Sequence, residues 1–483
     1  MTDTQRTSGF AMKLDQTIGT IRSLMGHSSD LIVRELVICR HIHTALIYLD
    51  GMTDVETIQG YIISPLLQCR EEEVSLTMLG EQVIQASEVH IAASLEIAVD
   101  QILAGSLLIL MDGEAAGLVV SAAKWEDRAV EDSKTQPVIQ GPHNAFTEKL
   151  RTNTTLVRRR VKDTRLRLAG IQVGKLSKTE IAIMYLEGPA NDQLVAKLIG
   201  SLNNITEDHI LGGENLEEIL HGNNAFTVFP RFYNTDRPDT IAAGIMEGRV
   251  AIFIDGSPFV LIAPTIFTDF LQSAEDYYQP YVYSSAIRVL RYISLFICLF
   301  APSIYIALTT FHQEMIPTQL LLSLAGQREG TPFPAFMEAV LMEITFEILR
   351  EAGVRMPRPI GQAISIVGTL VVGQAAVDAG IVSAAMVIVV SLTAIASFVI
   401  PSYAMSIPVR LIRFIFMALA ASFGAYGITI GLILLVVHLC YLQSFGVPYF
   451  TPFAPYQKRI FKDSLFRFPY RDSKVNNSGQ GEK

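Results

Sequence analysis

Four glutamates in one apolar stretch are the first residues that could carry chemistry. Glu338, Glu343, Glu347 and Glu351 lie within 333–351, among Phe336, Val340, Leu341, Ile344 and Ile348. Glu343, Glu347 and Glu351 recur every fourth residue, so on a helix they share one face. Carboxylates on an apolar helix have to face a bundle interior, a water path or a headgroup layer. Two readings stay open. One is an interfacial helix with a solvated acidic stripe. The other is a ring of carboxylates at a cation path, with several subunits placing this helix around an axis. A second stripe follows at 359–378, where Gln362, Ser365, Thr369, Gly373 and Ala376 fall at steps of three and four among Ile, Val and Leu. Such a stripe serves close helix packing, or it lines a pore in which Ile366 or Val372 forms a hydrophobic constriction.

Other chemistry finds little support. The chain has no HExxH, Walker A or GxSxG motif, and the run Gly170 to Leu176 has the wrong spacing for a phosphate loop. His41 and His43 alternate along an expected strand, and His312 and His438 sit at the ends of apolar stretches, where interfacial hydrogen bonding accounts for them. No catalytic, metal or cofactor site is expected. Cys39, Cys69, Cys298 and Cys440 are far apart and form no CxxC pair, which fits a reducing compartment. A net charge of −9 argues against nucleic acid as a partner. The basic run Arg158, Arg159, Arg160, Lys162, Arg165 and Arg167 reads as a solvated face, or as a patch for anionic lipid or a partner.

The elements that must position these residues separate by charge. The whole chain of 483 residues is 18% charged, but residues 292–445 hold about 13 charges in about 154 positions. A soluble part of about 290 residues therefore precedes a membrane part with a short tail. Apolar stretches at 292–313, 359–377 and 381–400 (the last ended by Pro401 and Pro408) are long enough for spans. The stretch 414–442 exceeds one crossing, and Gly424, Gly427 and Gly431 are placed to break or tilt it. Arg288 and Arg291 before the first span put the N-terminal part in the cytoplasm, and the polar segment 1–14 lacks a signal-peptide core. Arg350, Arg355 and Arg358 mark one cytoplasmic loop, and Arg410 and Arg413 another. The tail 458–483, with seven basic and three acidic residues, prefers the same side, so an even number of crossings is expected.

The soluble part is written twice. Ala-Leu-Ile-Tyr-Leu-Asp-Gly at 45–51 returns as Ala-Ile-Met-Tyr-Leu-Glu-Gly at 182–188. The strand after Gly105, closed by Asp112-Gly113, returns after Gly248, closed by Asp255-Gly256. Asp-Gly between apolar runs is a hairpin signal. The expected fold is α/β plus α-helical membrane: an N-terminal tail (1–26), an α/β subdomain (27–125), a linker (126–159), a second α/β subdomain (160–287), a transmembrane domain (288–445) and a basic C-terminal tail (446–483).

Several motifs now resemble one family. They are Thr331-Pro-Phe-Pro334, Met342-Glu343, Glu347 to Gly353, Arg355-Met-Pro, Pro359-Ile-Gly-Gln362, Ile366-Val-Gly368 and Val372 to Val377. Upstream stand Asn234 to Asp239, Gly248 to Ile252, Asp255 to Phe259 and Asp276-Tyr-Tyr278, with Gly141-Pro142, Phe146, Glu148 and Arg151-Thr-Asn153. Together they resemble the A subunit of GerA-type spore germinant receptors over about 125–450. The resemblance implies a spore inner-membrane protein acting with a transporter-like B subunit and a C lipoprotein. It further implies that A subunits oligomerise into a ring passing cations, monovalent ones, on germination. A membrane scaffold that docks cytoplasmic partners without conducting is the competing reading. A secondary transporter is weaker, because the membrane segments show no repeat.

Overall fold

A computed structural model describes residues 9–71, 74–124, 132–133, 135–221, 227–356, 373–457, 461 and 463–469. The chain divides into two compact units: Met1–Ala225 with Phe232–Pro264, and Phe226–Arg231 with Thr265–Lys483.

The first unit holds two five-stranded antiparallel sheets of identical topology. Strands β1 (Leu31–Ile38), β2 (Ile42–Leu49), β3 (Val89–Ala92), β4 (Leu107–Met111) and β5 (Gly117–Val120) stand in the order β1-β2-β4-β5-β3. Strands β6 (Leu166–Val173), β7 (Thr179–Leu186), β8 (Tyr233–Thr235), β9 (Val250–Ile254) and β10 (Val260–Ala263) repeat it as β6-β7-β9-β10-β8. Strands β4 and β9 are buried at every position, because alternate side chains enter different layers. In the first sheet Ala45, Ile47, Leu108 and Leu110 pack under helices α1 (Leu14–Leu24) and α2 (Leu95–Leu103). Leu46, Leu107, Ile109 and Met111 face the opposite layer, with Ile58, Ile62 and Leu66.

The Asp-Gly hairpins do more than turn the chain. Asp112 Oδ1 accepts from Leu14 N at 3.0 Å, the first residue of α1. In the second copy Asp255 Oδ1 accepts from Leu150 N at 3.2 Å, the first residue of α3 (Leu150–Arg158). Helices α1 and α3 are thus equivalent, and each belongs to a copy rather than to a tail or linker. Residues 132–133 and 135–147 are likewise anchored on the second copy: Ser133 Oγ donates to Asp236 at 2.9 Å, and Arg237 Nη2 donates to Pro142 O at 2.9 Å. Gly248 takes a φ of +91°, and a Cβ there would strike the Pro189 carbonyl. That accounts for glycine at this repeated position.

Arg158 departs from the expected solvated basic face. It is 1% exposed, and its Nε and Nη2 donate to the two Asp30 oxygens at 2.9 and 3.0 Å. Nη2 also donates to Ser28 Oγ at 3.0 Å, and Nη1 to Leu166 O at 3.1 Å. This fork, geometrically suited to a carboxylate, locks the two copies together. Arg165 and Arg167 are paired with Asp163 and Glu187.

The second unit is helical: α6 (Tyr281–Thr310) follows α4 (Asp192–Asn203) and α5 (Pro238–Met246) of the first unit in chain order. Then come α7 (Thr318–Arg328), α8 (Ala335–Arg355), α9 (Gly373–Asp378), α10 (Ala384–Val399), α11 (Tyr403–Phe423) and α12 (Ala425–Tyr441). Among the described residues α6 and α11 are long and apolar enough to cross a membrane, and α10 and α12 are shorter apolar helices. The long apolar stretch at 414–442 is divided at Gly424, whose φ is +62°. Helix α12 then folds back on α11, so closely that a Cβ on Gly427 would meet the Leu419 carbonyl. Pro408 lies inside α11 rather than ending a span. Arg410 and Arg413, expected in a cytoplasmic loop, are also inside α11.

Helix α6 starts at Tyr281, ahead of the expected 292, and Arg288 and Arg291 lie within it, buried. Burial of a guanidinium is tolerated only with a partner. Arg288 Nε and Arg291 Nη1 both donate to Asp276 Oδ2, at 3.0 and 2.7 Å. Arg288 Nη1 reaches Asp463 Oδ1 at 2.9 Å, and Tyr277 Oη donates to Asp463 Oδ2 at 2.7 Å. Arg467 Nη1 donates to Gln279 O at 2.6 Å. Residues 463–467 of the tail are therefore strapped across the start of α6.

Candidate functional site

The acidic stripe of α8 faces the interior of the helical unit. Glu338 is buried, and its Oε2 accepts from Ser383 N at 2.9 Å and Ser383 Oγ at 2.8 Å. Ser383 is the N-cap of α10, so Glu338 places negative charge on a helix N-terminus, where the backbone dipole favours it. Arg328 Nε of α7 lies 3.5 Å from Glu338 Oε1.

Half-way along α8 the stripe meets the arginines of α11. Glu343 and Arg413 are 0% and 1% exposed, and Glu343 Oε2 lies 2.9 Å from Arg413 Nη2. The same Nη2 is 3.6 Å from Glu347 Oε1. Glu347 Oε2 accepts from Arg410 Nη1 at 2.5 Å. Glutamates four apart on α8 thus oppose arginines three apart on α11, and each pair shares one helix face. Arg350 stacks over the rings of Phe398 and Tyr403 at 5.3 and 5.9 Å, a cation–π arrangement. Glu351 is exposed and accepts from Arg355 Nε at 2.7 Å. The stripe therefore grades from buried pairs to a solvated end.

Not every polar atom of this network is satisfied by protein. Among the described residues, Arg413 Nε and Nη1, Glu343 Oε1 and Arg350 Nη1 are buried without a hydrogen-bond partner. Buried atoms of this kind are ordinarily completed by water. A polar centre lies inside helices that are apolar on their outer faces: Leu411, Ile415, Ile430, Ile433 and Val437 are all exposed.

Of the small-and-polar stripe, Gln362, Ser365, Ile366, Thr369 and Val372 lie outside the described residues. Gly373 is buried on α9, and a Cβ there would sit 3.6 Å from Val387 of α10. Ala376 is half-buried against the cluster of Ile306, Met342, Met386 and Met417. His438 meets Thr227 Oγ1 at 3.2 Å, and His41 Nδ1 meets the Cys39 carbonyl at 2.9 Å.

The four glutamates stand out in the sequence by type and spacing, whereas the arginine partners of Glu343 and Glu347 lie about 60 to 70 residues further on. Arg410 and Arg413 carried a signal, since two arginines three apart in apolar sequence suit an internal acidic face as well as a loop.

A duplicated α/β unit, followed in the chain by a few apolar helices that enclose paired charges, suggests membrane association. The chain belongs to the GerA spore germination protein family of Bacillus and Clostridium, whose family model matches residues 19–478. It is 46% identical to spore germination protein KA of Bacillus subtilis (strain 168), over 95% of this chain and 85% of that protein. It is 38% identical to spore germination protein GerLA of Bacillus cereus, over 94% and 93%. A crystal structure of the N-terminal domain of the A subunit of the Bacillus megaterium spore germinant receptor GerK3 is 30% identical; the match covers 54% of this chain and 98% of that one, with a TM-score of 0.44.

Proposed function

We propose that this chain is the A subunit of a nutrient receptor in the spore inner membrane and triggers germination. In this reading it crosses the membrane several times, keeps its α/β unit in the cytoplasm and acts with a transporter-like B subunit and a C lipoprotein. Copies of the chain assemble into a ring whose centre passes monovalent cations when nutrient binds. The observation that carries this reading is the Glu343–Arg413 pair. A helical unit that served only as an anchor gains nothing from burying ions, and burial costs several kcal/mol per ion before pairing offsets it. Family membership supports the germination role, and the tail strapped to the start of α6 supports an even number of crossings.

The test reads ion release from spores carrying variants of the small-and-polar stripe. Bulky substitutions Thr369→Phe and Gly373→Phe should block release, and Ile366→Ala and Val372→Ala should leak without nutrient. Unchanged release in all four would remove the pore from this stripe and leave a docking scaffold as the better account.

A further inference from the structure

Helix α6 opens with Tyr281, Val282 and Tyr283, and all three side chains are exposed. The tail brings two more rings to the same place. Arg467 N donates to Ser285 Oγ at 3.0 Å, and that hydroxyl donates back to Arg467 O at 3.1 Å. Arg467 Nη1 donates to Asp276 O and Gln279 O, both at 2.6 Å. Its chain neighbours Phe466 and Phe468 are thereby held beside the opening of α6, and they are exposed too. Five apolar and aromatic side chains gathered at one point of a surface mark a contact site.

Their position and the charge around them identify the contact. Helix α6 is long and apolar enough to cross a membrane, so its opening turn falls where a bilayer meets water. Tyrosine suits that level, with its ring in the acyl boundary and its hydroxyl among the headgroups. Of the seven basic and three acidic residues in 458–483, the strap engages one of each, Arg467 and Asp463. The other six basic residues outnumber two acidic ones. Basic residues beside a span attract anionic headgroups, and the attraction dies away within a Debye length. Arg288 and Arg291 take no part in it, because their guanidinium groups are buried on Asp276 and Asp463. Those pairs hold the strap in place and so fix the two phenylalanines before any lipid arrives.

We propose that Tyr281, Val282, Tyr283, Phe466 and Phe468 form an interfacial collar that binds the headgroup layer of anionic lipids. The rings enter the layer, and the basic residues of the tail select its charge. This inference rests on the membrane reading above, in which α6 is a span. It gives the tail a function of its own, that of a lipid contact at the start of α6.

The experiment reconstitutes the full chain into vesicles of phosphatidylcholine, alone or mixed with phosphatidylglycerol, both containing lipid brominated near the headgroup end of its acyl chains. Trp125→Phe removes the one native tryptophan, and Phe466→Trp places a fluorescent reporter in the collar. Parallel reporters are Leu434→Trp, at an exposed position of α12, and Leu176→Trp, at an exposed position of the α/β unit. The Phe466→Trp emission should shift to the blue and be quenched by bromine, more strongly with phosphatidylglycerol. That difference should vanish in about 1 M salt, where the Debye length is about 3 Å. It should vanish as well when Lys458, Arg459, Lys462, Arg471 and Lys474 are all changed to glutamine. Leu434→Trp should be quenched equally in both lipids, and Leu176→Trp in neither. An unquenched Phe466→Trp beside a quenched Leu434→Trp overturns the collar and assigns these rings to a protein partner. Equal quenching of Phe466→Trp in the two lipids overturns the selection for anionic headgroups. Absence of quenching at Leu434→Trp as well overturns the membrane reading on which the collar rests.

Discussion

Replacing Arg413 with methionine keeps much of the side-chain length and removes the charge facing Glu343. At 2.9 Å and an effective dielectric of about 20, the gross attraction of the pair is about 6 kcal/mol. Desolvation of both ions offsets most of it, but a single substitution leaves the other ion buried alone, which costs about 3–5 kcal/mol. Among the described residues, Arg410, the other arginine on this face of α11, is already engaged by Glu347. For a helical unit of this size each kcal/mol moves the unfolding midpoint by roughly 2–4 °C. Arg413→Met should therefore lower it by roughly 6–20 °C in detergent, followed by circular dichroism at the helical band. Glu343→Met alone should cost a similar amount, and the double variant should recover most of the loss, because two methionines bury no charge. A coupling energy under about 0.5 kcal/mol in this cycle would refute the pairing.

Three further outcomes are expected. Arg158→Lys keeps the charge but not the fork that holds Asp30 and Ser28, so hydrogen exchange at 28–31 should rise and stability fall by about 2 kcal/mol or more. Gly427→Ala should cost about 1–3 kcal/mol by pushing α12 off the Leu419 carbonyl, whereas Gly200→Ala, with nothing within 4 Å of the added methyl, should gain about 0.5–1 kcal/mol in α4; thermal melts compare the two. A tag after residue 483 should be labelled from the same membrane side as one before residue 1, and labelling from opposite sides would break the even count.

The repeat was legible because Asp112-Gly113 and Asp255-Gly256 punctuate two fully apolar strands, a signal that needs no knowledge of packing. Its helical openings were less so. Leu14, Ile18 and Ile21 have a helical spacing, but α3 reads Leu-Arg-Thr-Asn-Thr-Thr, and it hides Asn153, Thr154 and Thr155 in the interior. Those polar groups are satisfied locally, as where Asn153 Oδ1 accepts from Thr147 N at 2.7 Å, and such bonds leave no mark in hydropathy. The acidic stripe was visible by spacing alone. Its partners were not, because an arginine in apolar sequence reads equally as a loop marker or as half of an ion pair. Asp463 is a further case: a charged residue in a basic tail holds Arg288, which lies far away in sequence.

The spacing of the charges on α8 and α11 has a mechanical consequence. Arg413 Nη2 stands 2.9 Å from one carboxylate and 3.6 Å from the next along the same face, and Glu351 waits one turn beyond Glu347. Were α8 to slide along α11 by one turn, about 5.4 Å, each arginine would pass from its present glutamate to the following one. Both arginines would keep a carboxylate, like the teeth of a rack, and Glu343, with Phe416 and Met417 one turn beyond Arg413, would be the one ion left without a cation. An all-hydrophobic seam would have to break its packing to move, whereas this one has a second register written into it.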